Sequence, residues 1–171
     1  MQPRVLMVGR FQPFHNGHIL VIRHLLKSFR SVILGIGSAQ YSHTPDNPFT
    51  AGERVEMAVE ALRAEKIEDF YAVPIEDINE HGRWVAHVES LVPRFSAAAS
   101  NNPLVGRLFE ERGYRVVSTP LYDRRKYCGT VIRERMLRGR PWKPLVPAAV
   151  ASILEAVGGP ERLRRIASKD E

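Results

Sequence analysis

Residues 4–37 read RVLMVGRFQPFHNGHILVIRHLLKSFRSVILGIG, and this stretch decides the fold. It opens with an apolar, β-favouring run at 4–9, followed by a polar loop and then by apolar residues at helical spacing between Ile19 and Phe29. A second apolar run at 31–37 lacks the alternation of a half-exposed strand, which predicts a strand buried on both faces. The stretch therefore predicts a β-α-β unit of a parallel sheet.

The rest of the chain continues this alternation. Thr50 and Glu53 form a T-x-x-E capping box, which predicts a helix over about 50–65. Further strands are predicted at 70–75, 95–99 and 114–118, and further helices at 84–92, 103–111, 130–138 and 147–167. The pattern predicts an α/β fold, a doubly wound parallel sheet in which ligands bind beyond the carboxyl ends of the strands.

Length and composition limit the class of protein. With 171 residues, 44% of them hydrophobic, the chain can bury one sizeable core, so we expect one domain. No run approaches the roughly 20 apolar residues of a membrane helix, and no signal sequence precedes the first strand. Cys128 is the single cysteine, which excludes an intrachain disulfide. We therefore expect a cytoplasmic protein that does not enter a membrane.

The net charge of +6 is concentrated in one segment. Residues 123–143 carry +6 by themselves, so the remaining residues balance to zero, unlike the evenly basic surface of a general nucleic-acid binder. A local cluster fits a small polyanion such as a nucleoside triphosphate, and a solvated basic helix face explains it equally well. The cluster comprises Arg124, Arg125, Lys126, Arg133, Arg135, Arg138, Arg140 and Lys143 against Asp123 and Glu134.

The loop after the first strand places basic side chains where a helix disfavours them. Arg10, His15 and His18 surround the predicted helix start, where free N–H groups and the positive end of the dipole make a cation unfavourable by about 0.3–1 kcal/mol. An anion docked at this point would turn the same residues into favourable contacts. Gly17 would let the anion approach the backbone. We predict a phosphate site.

Two other interpretations of the histidine pair exist. One is a surface turn with incidental imidazoles, and the other is a metal site, since H-x-x-H places two rings on one helix face. A metal needs a third ligand, but no cysteine is close in sequence and no Asp or Glu occurs in the first 45 residues. A ligand distant in sequence stays possible for the metal interpretation, and we favour phosphate.

A second segment, CGTVIR at 128–133, repeats the same anomaly. Thr130 is the predicted N-cap of the next helix, and a capping box would place Glu or Gln at position 133. The chain has Arg133 there instead, so the Thr130 hydroxyl, the free N–H groups and the guanidinium could together bind a phosphate.

Five blocks, in order and at compatible spacing, resemble the nucleotidyltransferases of the HxGH type, and among these the archaeal nicotinamide mononucleotide adenylyltransferases. The resemblance covers about residues 3–167 and is more specific than the H-x-G-H motif alone. The blocks are GRFQPFHNGH (9–18), GIGSAQYSHT (35–44), NPFTAGER (47–54), NPLV (102–105) and GTVIRERM (129–136).

The resemblance implies a Rossmann-like fold, with residues 1–171 forming one nucleotidyltransferase domain whose part from about 129 to 168 is helical. It implies that ATP and nicotinamide mononucleotide, and often nicotinate mononucleotide, are joined with magnesium present to give the dinucleotide and pyrophosphate. It also implies a homo-oligomer, of which a hexamer is one form. No nucleic-acid partner is expected.

The resemblance also implies roles for individual residues. His15 and His18 would contact the ATP phosphates, and Arg10 and Arg133 would flank the triphosphate. Trp84 would stack on the pyridine ring, although it also opens an apolar helical run in which packing is the commoner role of an aromatic residue. The remaining predicted ATP-binding residues are Gly9, Phe11, Gly17, Asn102, Gly129 and Thr130.

Two positions depart from the family pattern. Cys128 stands where serine is usual, which weakens one donor to phosphate, and Asn101 stands where glycine commonly precedes Asn-Pro. Asn101 is expected to keep the turn, because asparagine tolerates a left-handed backbone.

The predicted chemistry needs no general base, because the acceptor phosphate is already an anion at neutral pH. We expect direct in-line attack on the α-phosphorus of ATP. The alternatives are another transferase of this group, acting on phosphopantetheine, flavin mononucleotide or glycerol phosphate, and a non-catalytic RNA-binding protein that uses the 123–143 cluster.

Overall fold

A computed structural model describes residues 3–168 of the chain; the outermost residues of the predicted domain, 1–2 and 169–171, lie outside it. The strands are β1 (Arg4–Gly9), β2 (Ser31–Ile36), β3 (Phe70–Pro74), β4 (Ala97–Ala99) and β5 (Arg115–Val117). The helices are α1 (Asn16–Leu25), α2 (Ala51–Ala64), α3 (His81–Leu91), α4 (Pro103–Glu111), α5 (Gly129–Leu137), α6 (Ala148–Ala156) and α7 (Gly159–Ala167), with a short 3₁₀ turn at Lys143–Leu145 before α6.

The five strands form one parallel sheet in the order β3-β2-β1-β4-β5. Val5 in the central strand pairs with Val32 of β2 on one side and with Ala97 of β4 on the other. After β1 the chain therefore adds β2 and β3 on one side of the central strand, and then crosses to the other side to add β4 and β5. The predicted doubly wound α/β fold is confirmed, and its strand order reverses between β1 and β4, where such sheets bind ligands.

Helices cover both faces of the sheet. All six residues of β2 are buried, which confirms the prediction from its unbroken apolar run. Successive strand residues point to opposite faces, so Val32 belongs to the core that includes α1, α2 and α5 to α7, while Ile33 belongs to the core that includes α3 and α4. The two cores thus lie on either side of one sheet.

Most helix boundaries agree with the predictions, and three differ. The Thr50–Glu53 capping box forms, with both reciprocal hydrogen bonds present. The helix expected at 84–92 begins earlier, at His81. The predicted helical tail is two helices, because Gly158 adopts a left-handed conformation (φ 63°) between α6 and α7.

The start of α5 corrects a third expectation. Its N-cap is Cys128, so Thr130 lies inside the first turn and is not the cap. The physical reason is the tight seat of Gly129, where an added Cβ would lie only 2.9 Å from the Gln12 carbonyl oxygen. Because Gly129 has no side chain, the start of the helix can approach the loop after β1 at this point.

The C-terminal helix is joined to α2 by a partly buried ion pair. Arg162 on α7 donates both η nitrogens to the two carboxylate oxygens of Glu53, at 2.7 and 2.8 Å. The same carboxylate accepts the N–H of Thr50, so the last helix is tied to the cap of α2. None of the helices within residues 3–168 is long and apolar enough to cross a membrane.

We expect Arg162→Ala to lower the free energy of unfolding by about 2–4 kcal/mol, because the Glu53 carboxylate would stay partly buried without its counter-ion. Urea unfolding monitored by circular dichroism measures this difference. Arg165→Ala is the matched control, since Arg165 belongs to a solvent-exposed pair with Glu161 at 3.9 Å and should change stability by less than about 0.5 kcal/mol. Equal effects of the two changes would contradict a structural role for the bridge.

Candidate active site

Two adjoining cavities open at the carboxyl end of the sheet. The larger, of about 580 Å³, lies beyond β1, β4 and β5, and the smaller, of about 140 Å³, lies between the loop after β1 and the start of α5. Both are lined by His15, His18, Cys128 and Gly129. The pair of cavities therefore occupies the crevice at which the strand order reverses, and the predicted phosphate residues form the boundary between them.

His15 and His18 form a stacked pair at the start of α1. Their ring centroids are 3.6 Å apart with an angle of 18° between the planes. The N–H of His15, the N-cap, donates to Nδ1 of His18 at 3.0 Å. Because Nδ1 of His18 accepts this bond, its ring proton is placed on Nε2 as a donor. The helix cap thus fixes the tautomer of His18.

Both imidazoles favour the neutral form. Burial lowers the pKa of His15 from 6.5 to about 4, against a smaller opposing effect of a backbone hydrogen bond. Burial also lowers the pKa of His18, and the neighbouring charge of a protonated His15 lowers it further. Nδ1 of His15 is buried without a hydrogen-bond partner. The His15 side chain faces the backbone of His18, in a capping arrangement whose other half is the bond from the His15 N–H to Nδ1 of His18.

Three further residues of the predicted site shape the surroundings of the histidines. Gly17 has no room for a side chain, because a Cβ would lie 2.8 Å from Cβ of Tyr127 and 3.0 Å from Cε1 of His15. Phe11 is buried in a left-handed conformation (φ 52°), and its ring lies 4.7 Å from that of His18. Gly9 accommodates the Phe11 ring, with 3.2 Å to a notional Cβ. Gly9 and the Phe11 side chain therefore pack behind the histidines.

Arg133 is buried at the floor of the small cavity. Its Nη1 donates to the Gln12 carbonyl at 2.8 Å, and its Nη2 lies 3.4 Å from the Thr130 hydroxyl. Gln12 is itself held by two bonds to the backbone of Phe49, with which its amide exchanges a donor and an acceptor. The guanidinium is thus fixed between the loop after β1 and the first turns of α5.

Cys128 faces the free N–H groups at the start of α5. Burial raises the pKa of its thiol, but the N–H groups of Thr130 and Val131, the Thr130 hydroxyl and Arg124 lower it by more. The net effect is a lowered pKa, which shows that the start of α5 favours a negative charge. This is the property expected of a phosphate site at a helix N-terminus.

Arg54 is an essential part of this region that sequence reasoning missed. Its side chain is fully buried and donates to the carbonyl groups of Arg10 (2.8 Å), Gly37 (2.7 Å), Ser38 (3.2 Å) and Thr50 (3.2 Å). A signal existed, because Arg54 falls on the apolar stripe of α2 with Ala58, Ala61 and Leu62. A charged residue on a buried stripe indicates a fixed set of acceptors.

Arg10 is exposed at the mouth of the small cavity, and its charge affects the other two arginines. Burial, and then repulsion from Arg10, lowers the pKa of Arg54 to about 10. The same two causes lower the pKa of Arg133. The charge of Arg10 repels both buried guanidinium groups, so positive charge is concentrated at this end of the sheet, and a polyanion would relieve the repulsion.

Asn102 lines the large cavity and caps α4. Its Oδ1 accepts the N–H groups of Leu104 (2.9 Å) and Val105 (3.2 Å), which leaves its Nδ2 for a ligand. Asn101 corrects the expectation of a left-handed turn, since its φ is not positive. Instead its side chain exchanges hydrogen bonds with the backbone of Thr119, joining the ends of β4 and β5.

Trp84 is placed apart from the two cavities. It is half-buried on α3 and makes an edge contact with Phe109, at 5.5 Å between centroids. Neither cavity wall includes it. Its packing role is therefore present, and its contact with a pyridine ring stays a prediction. Within residues 3–168, no group of three His, Cys, Asp or Glu side chains is arranged to hold a metal ion.

The lowered pKa of His15 makes stability depend on pH. Between about pH 6.5 and pH 4 the unfolded chain binds a proton at this histidine that the folded chain does not. The free energy of unfolding should therefore decrease by up to about 3 kcal/mol as the pH is lowered through this range. His18, with its pKa lowered in the same direction, should add to the fall. Urea unfolding at several pH values in this window measures the effect.

His15→Gln removes one of the two groups and should flatten the dependence. His81→Gln, at an exposed histidine on α3, is the control for loss of an imidazole. If the free energy of unfolding of His15→Gln depended on pH as steeply as that of the unaltered protein, the buried histidine would not be the source of the pH dependence.

Comparison with known proteins agrees with this geometry. A family model described as cytidylyltransferase-like matches residues 6–135. The nicotinamide-nucleotide adenylyltransferase of Thermoplasma acidophilum is 48% identical, with 99% of this chain and 95% of the relative aligned. The enzyme of the same name from Picrophilus torridus is 51% identical, over 98% of this chain and 99% of the relative.

Solved structures share the fold. A bifunctional NMN adenylyltransferase/ADP ribose pyrophosphatase from Francisella tularensis, complexed with AMP and a manganese ion, superposes with a TM-score of 0.78 at 20% identity. The match covers 97% of this chain and 52% of that protein, so the chain spans about half its length. Near-complete alignment at about half identity goes beyond a shared fold. This chain belongs to the nicotinamide-nucleotide adenylyltransferases, within the cytidylyltransferase-like family.

Proposed function

We propose that this chain transfers the adenylyl group of ATP to the phosphate of nicotinamide mononucleotide, forming NAD and pyrophosphate. The observation that carries the proposal is the meeting of two helix N-termini, those of α1 and α5, around a small cavity that also holds His15, His18 and Arg133. Helix N-termini and buried cations both favour a polyanion. The family membership supports the same substrate.

The two cavities suggest how ATP lies. We place the triphosphate in the small cavity, between the histidine pair and Arg133, and the adenosine in the large one. A volume of about 580 Å³ lies within the range of small-molecule sites. Asn102 and Tyr127 line the large cavity, and Thr130 lines the small one. The α-phosphorus would then lie at the boundary, beside His18.

The reaction requires no proton transfer to begin. A phosphate oxygen of the mononucleotide attacks the α-phosphorus, the new P–O bond forms, and the bond to the β-phosphate oxygen breaks with its electron pair leaving on pyrophosphate. The protein must hold two anions together and stabilise the leaving group. Arg10 and Arg133 supply positive charge for this purpose.

The histidines act as neutral donors in this scheme. Nε2–H of His18, fixed by the bond at Nδ1, donates to a phosphate oxygen. His15 lines both cavities and supplies the second imidazole of the pair. The negative charge of a bound polyanion also raises the pKa of both rings.

The remaining assignments are proposals of the same kind. Magnesium would enter with ATP as part of the substrate, because the described residues offer no cage for it. Trp84 lies on α3, the helix that follows the carboxyl end of β3, which supports a pyridine contact from that side. We also propose that nicotinate mononucleotide is a second acceptor and that the protein forms a homo-oligomer such as a hexamer. The proposal includes a cytoplasmic location and no nucleic-acid partner.

We expect the purified protein to form NAD and pyrophosphate from ATP, magnesium and nicotinamide mononucleotide. His18→Ala should lower kcat/KM by about 100-fold or more, because a fixed donor to the phosphates is lost. The assay couples pyrophosphate release to chromatography of the dinucleotide. His24→Ala, on the last turn of the same helix, is the control and should stay near the unaltered rate.

The same assay separates the alternative acceptors. Nicotinate mononucleotide, phosphopantetheine and flavin mononucleotide are supplied in turn with ATP. A dinucleotide formed with flavin mononucleotide, or a product with phosphopantetheine, and none with either pyridine nucleotide would overturn the proposed substrate and leave adenylyl transfer in place.

Two glycine substitutions, one at the proposed triphosphate site and one far from it, test where the triphosphate binds. Gly129→Ala places a methyl group 2.9 Å from the Gln12 carbonyl and 3.1 Å from Nη1 of Arg133, so the loop or the guanidinium must move. We expect kcat/KM for ATP to fall by about 10- to 100-fold. Gly82→Ala, where nothing lies within 4 Å of the added Cβ, should leave the rate unchanged. Steady-state kinetics with varied ATP would contradict this if both variants behaved alike.

A further inference from the structure

One carboxylate lies beside the proposed triphosphate site, in contact with Arg133 but outside the residues that line the small cavity. Asp46 is in the loop between β2 and α2, and its Oδ1 is 3.7 Å from Nη2 of the buried Arg133. The Asp46 side chain is 82% exposed, whereas that of Arg133 is 7% exposed. The pair therefore joins a solvent-facing anion to the guanidinium that we assign to the phosphates.

A closed turn holds Asp46 in this position. The backbone groups of Thr44 and Asn47 donate to each other, at 3.2 and 3.1 Å, and the Asn47 N–H also lies 3.2 Å from the Thr44 hydroxyl. Pro45 and Asp46 form the tip of this turn. The carboxylate is thus presented to Arg133 by the backbone.

Asp46 is the counter-ion of Arg133. The other two contacts of the guanidinium, with the Gln12 carbonyl and the Thr130 hydroxyl, are neutral. Burial, and then repulsion from Arg10, lowers the pKa of Arg133, while Asp46 and, to a smaller extent, Cys128 raise it. A carboxylate beside the cavity therefore stabilises the buried cation of the proposed triphosphate site.

A bound polyphosphate brings further negative charge to the same guanidinium. Its oxygens and the Asp46 carboxylate then compete for Arg133 and repel each other. A carboxylate at this point weakens the binding of ATP, and it weakens equally the binding of the pyrophosphate that must leave after the reaction. Tight retention of pyrophosphate would slow turnover, since product release limits many enzymes.

We propose that Asp46 lowers the affinity for polyphosphate by competing with phosphate oxygens for Arg133, and so favours pyrophosphate release. This proposal rests on the proposed adenylyl transfer. Asp46 acts through the charge of Arg133 and takes no part in making or breaking bonds. Its side chain is exposed, so the residue can be changed without disturbing the core.

The test is a charge series at position 46, with inorganic pyrophosphate as the probe. Calorimetry without magnesium at low salt should show 2- to 5-fold tighter binding for Asp46→Asn, roughly the size expected of a solvent-exposed pair, and tighter binding still for Asp46→Lys. The gain should shrink at about 0.5 M salt. Asp69→Asn is the control, because it removes the same charge at the opposite, amino-terminal end of the sheet.

Kinetics provide the second readout. Asp46→Asn should lower KM for ATP and lower the inhibition constant of pyrophosphate by similar factors, with Asp69→Asn unchanged in both. Unchanged or weaker pyrophosphate binding without magnesium would overturn the role of Asp46. Binding weakened only when magnesium is present would also overturn it and would make the carboxylate a ligand of the substrate's metal.

The outcome for Asp46 is separable from that for the proposed function. An unaltered protein that forms NAD and binds pyrophosphate, beside an Asp46→Asn variant with the same affinity, contradicts the competition alone. An unaltered protein that binds no pyrophosphate contradicts both proposals.

Discussion

The buried guanidinium of Arg54 is the contact on which the rest of the site depends. It donates hydrogen bonds to carbonyl groups of the loop after β1, the loop after β2 and the cap of α2. Three separate segments are therefore held by one side chain. A guanidinium without these acceptors would be too costly to bury. The ion pair between Glu53 and Arg162 extends the same arrangement to α7. The conformation of the loop after β1 is therefore tied to α2 and, through Glu53 and Arg162, to α7.

The site is prepared for an anion by accumulated positive charge. Burial and repulsion from Arg10 lower the pKa values of Arg54 and Arg133, and burial lowers the pKa values of the two histidines, which favours their neutral forms. Each effect is unfavourable for the empty protein and is relieved by a polyphosphate, which is the physical basis of preorganised electrostatic stabilisation. Asp46 reduces the imbalance on one side, so the strength of binding reflects a balance between repelling cations and a single competing carboxylate.

Sequence patterns predicted the elements well where one local rule was dominant. The unbroken apolar run of β2 and the capping box at Thr50 both form as expected. Patterns were misleading where tertiary contacts competed with local preference. Thr130 resembles an N-cap, yet the helix begins earlier because Gly129 fits against the Gln12 carbonyl. Asn101 was expected to supply a turn and instead bridges β4 and β5 through its amide.

The alternation of strands and helices, the cations at two helix starts and the family of the five blocks could all be predicted from the amino-acid sequence. These are local properties, encoded in spacing and residue type. The folded structure was needed to show that both helix starts meet at one cavity, that Arg54 holds the loops together, that Trp84 packs against Phe109, and that Asp46 faces Arg133. Such contacts join residues separated by up to more than a hundred positions, and their distances follow from how the sheet and its helices pack.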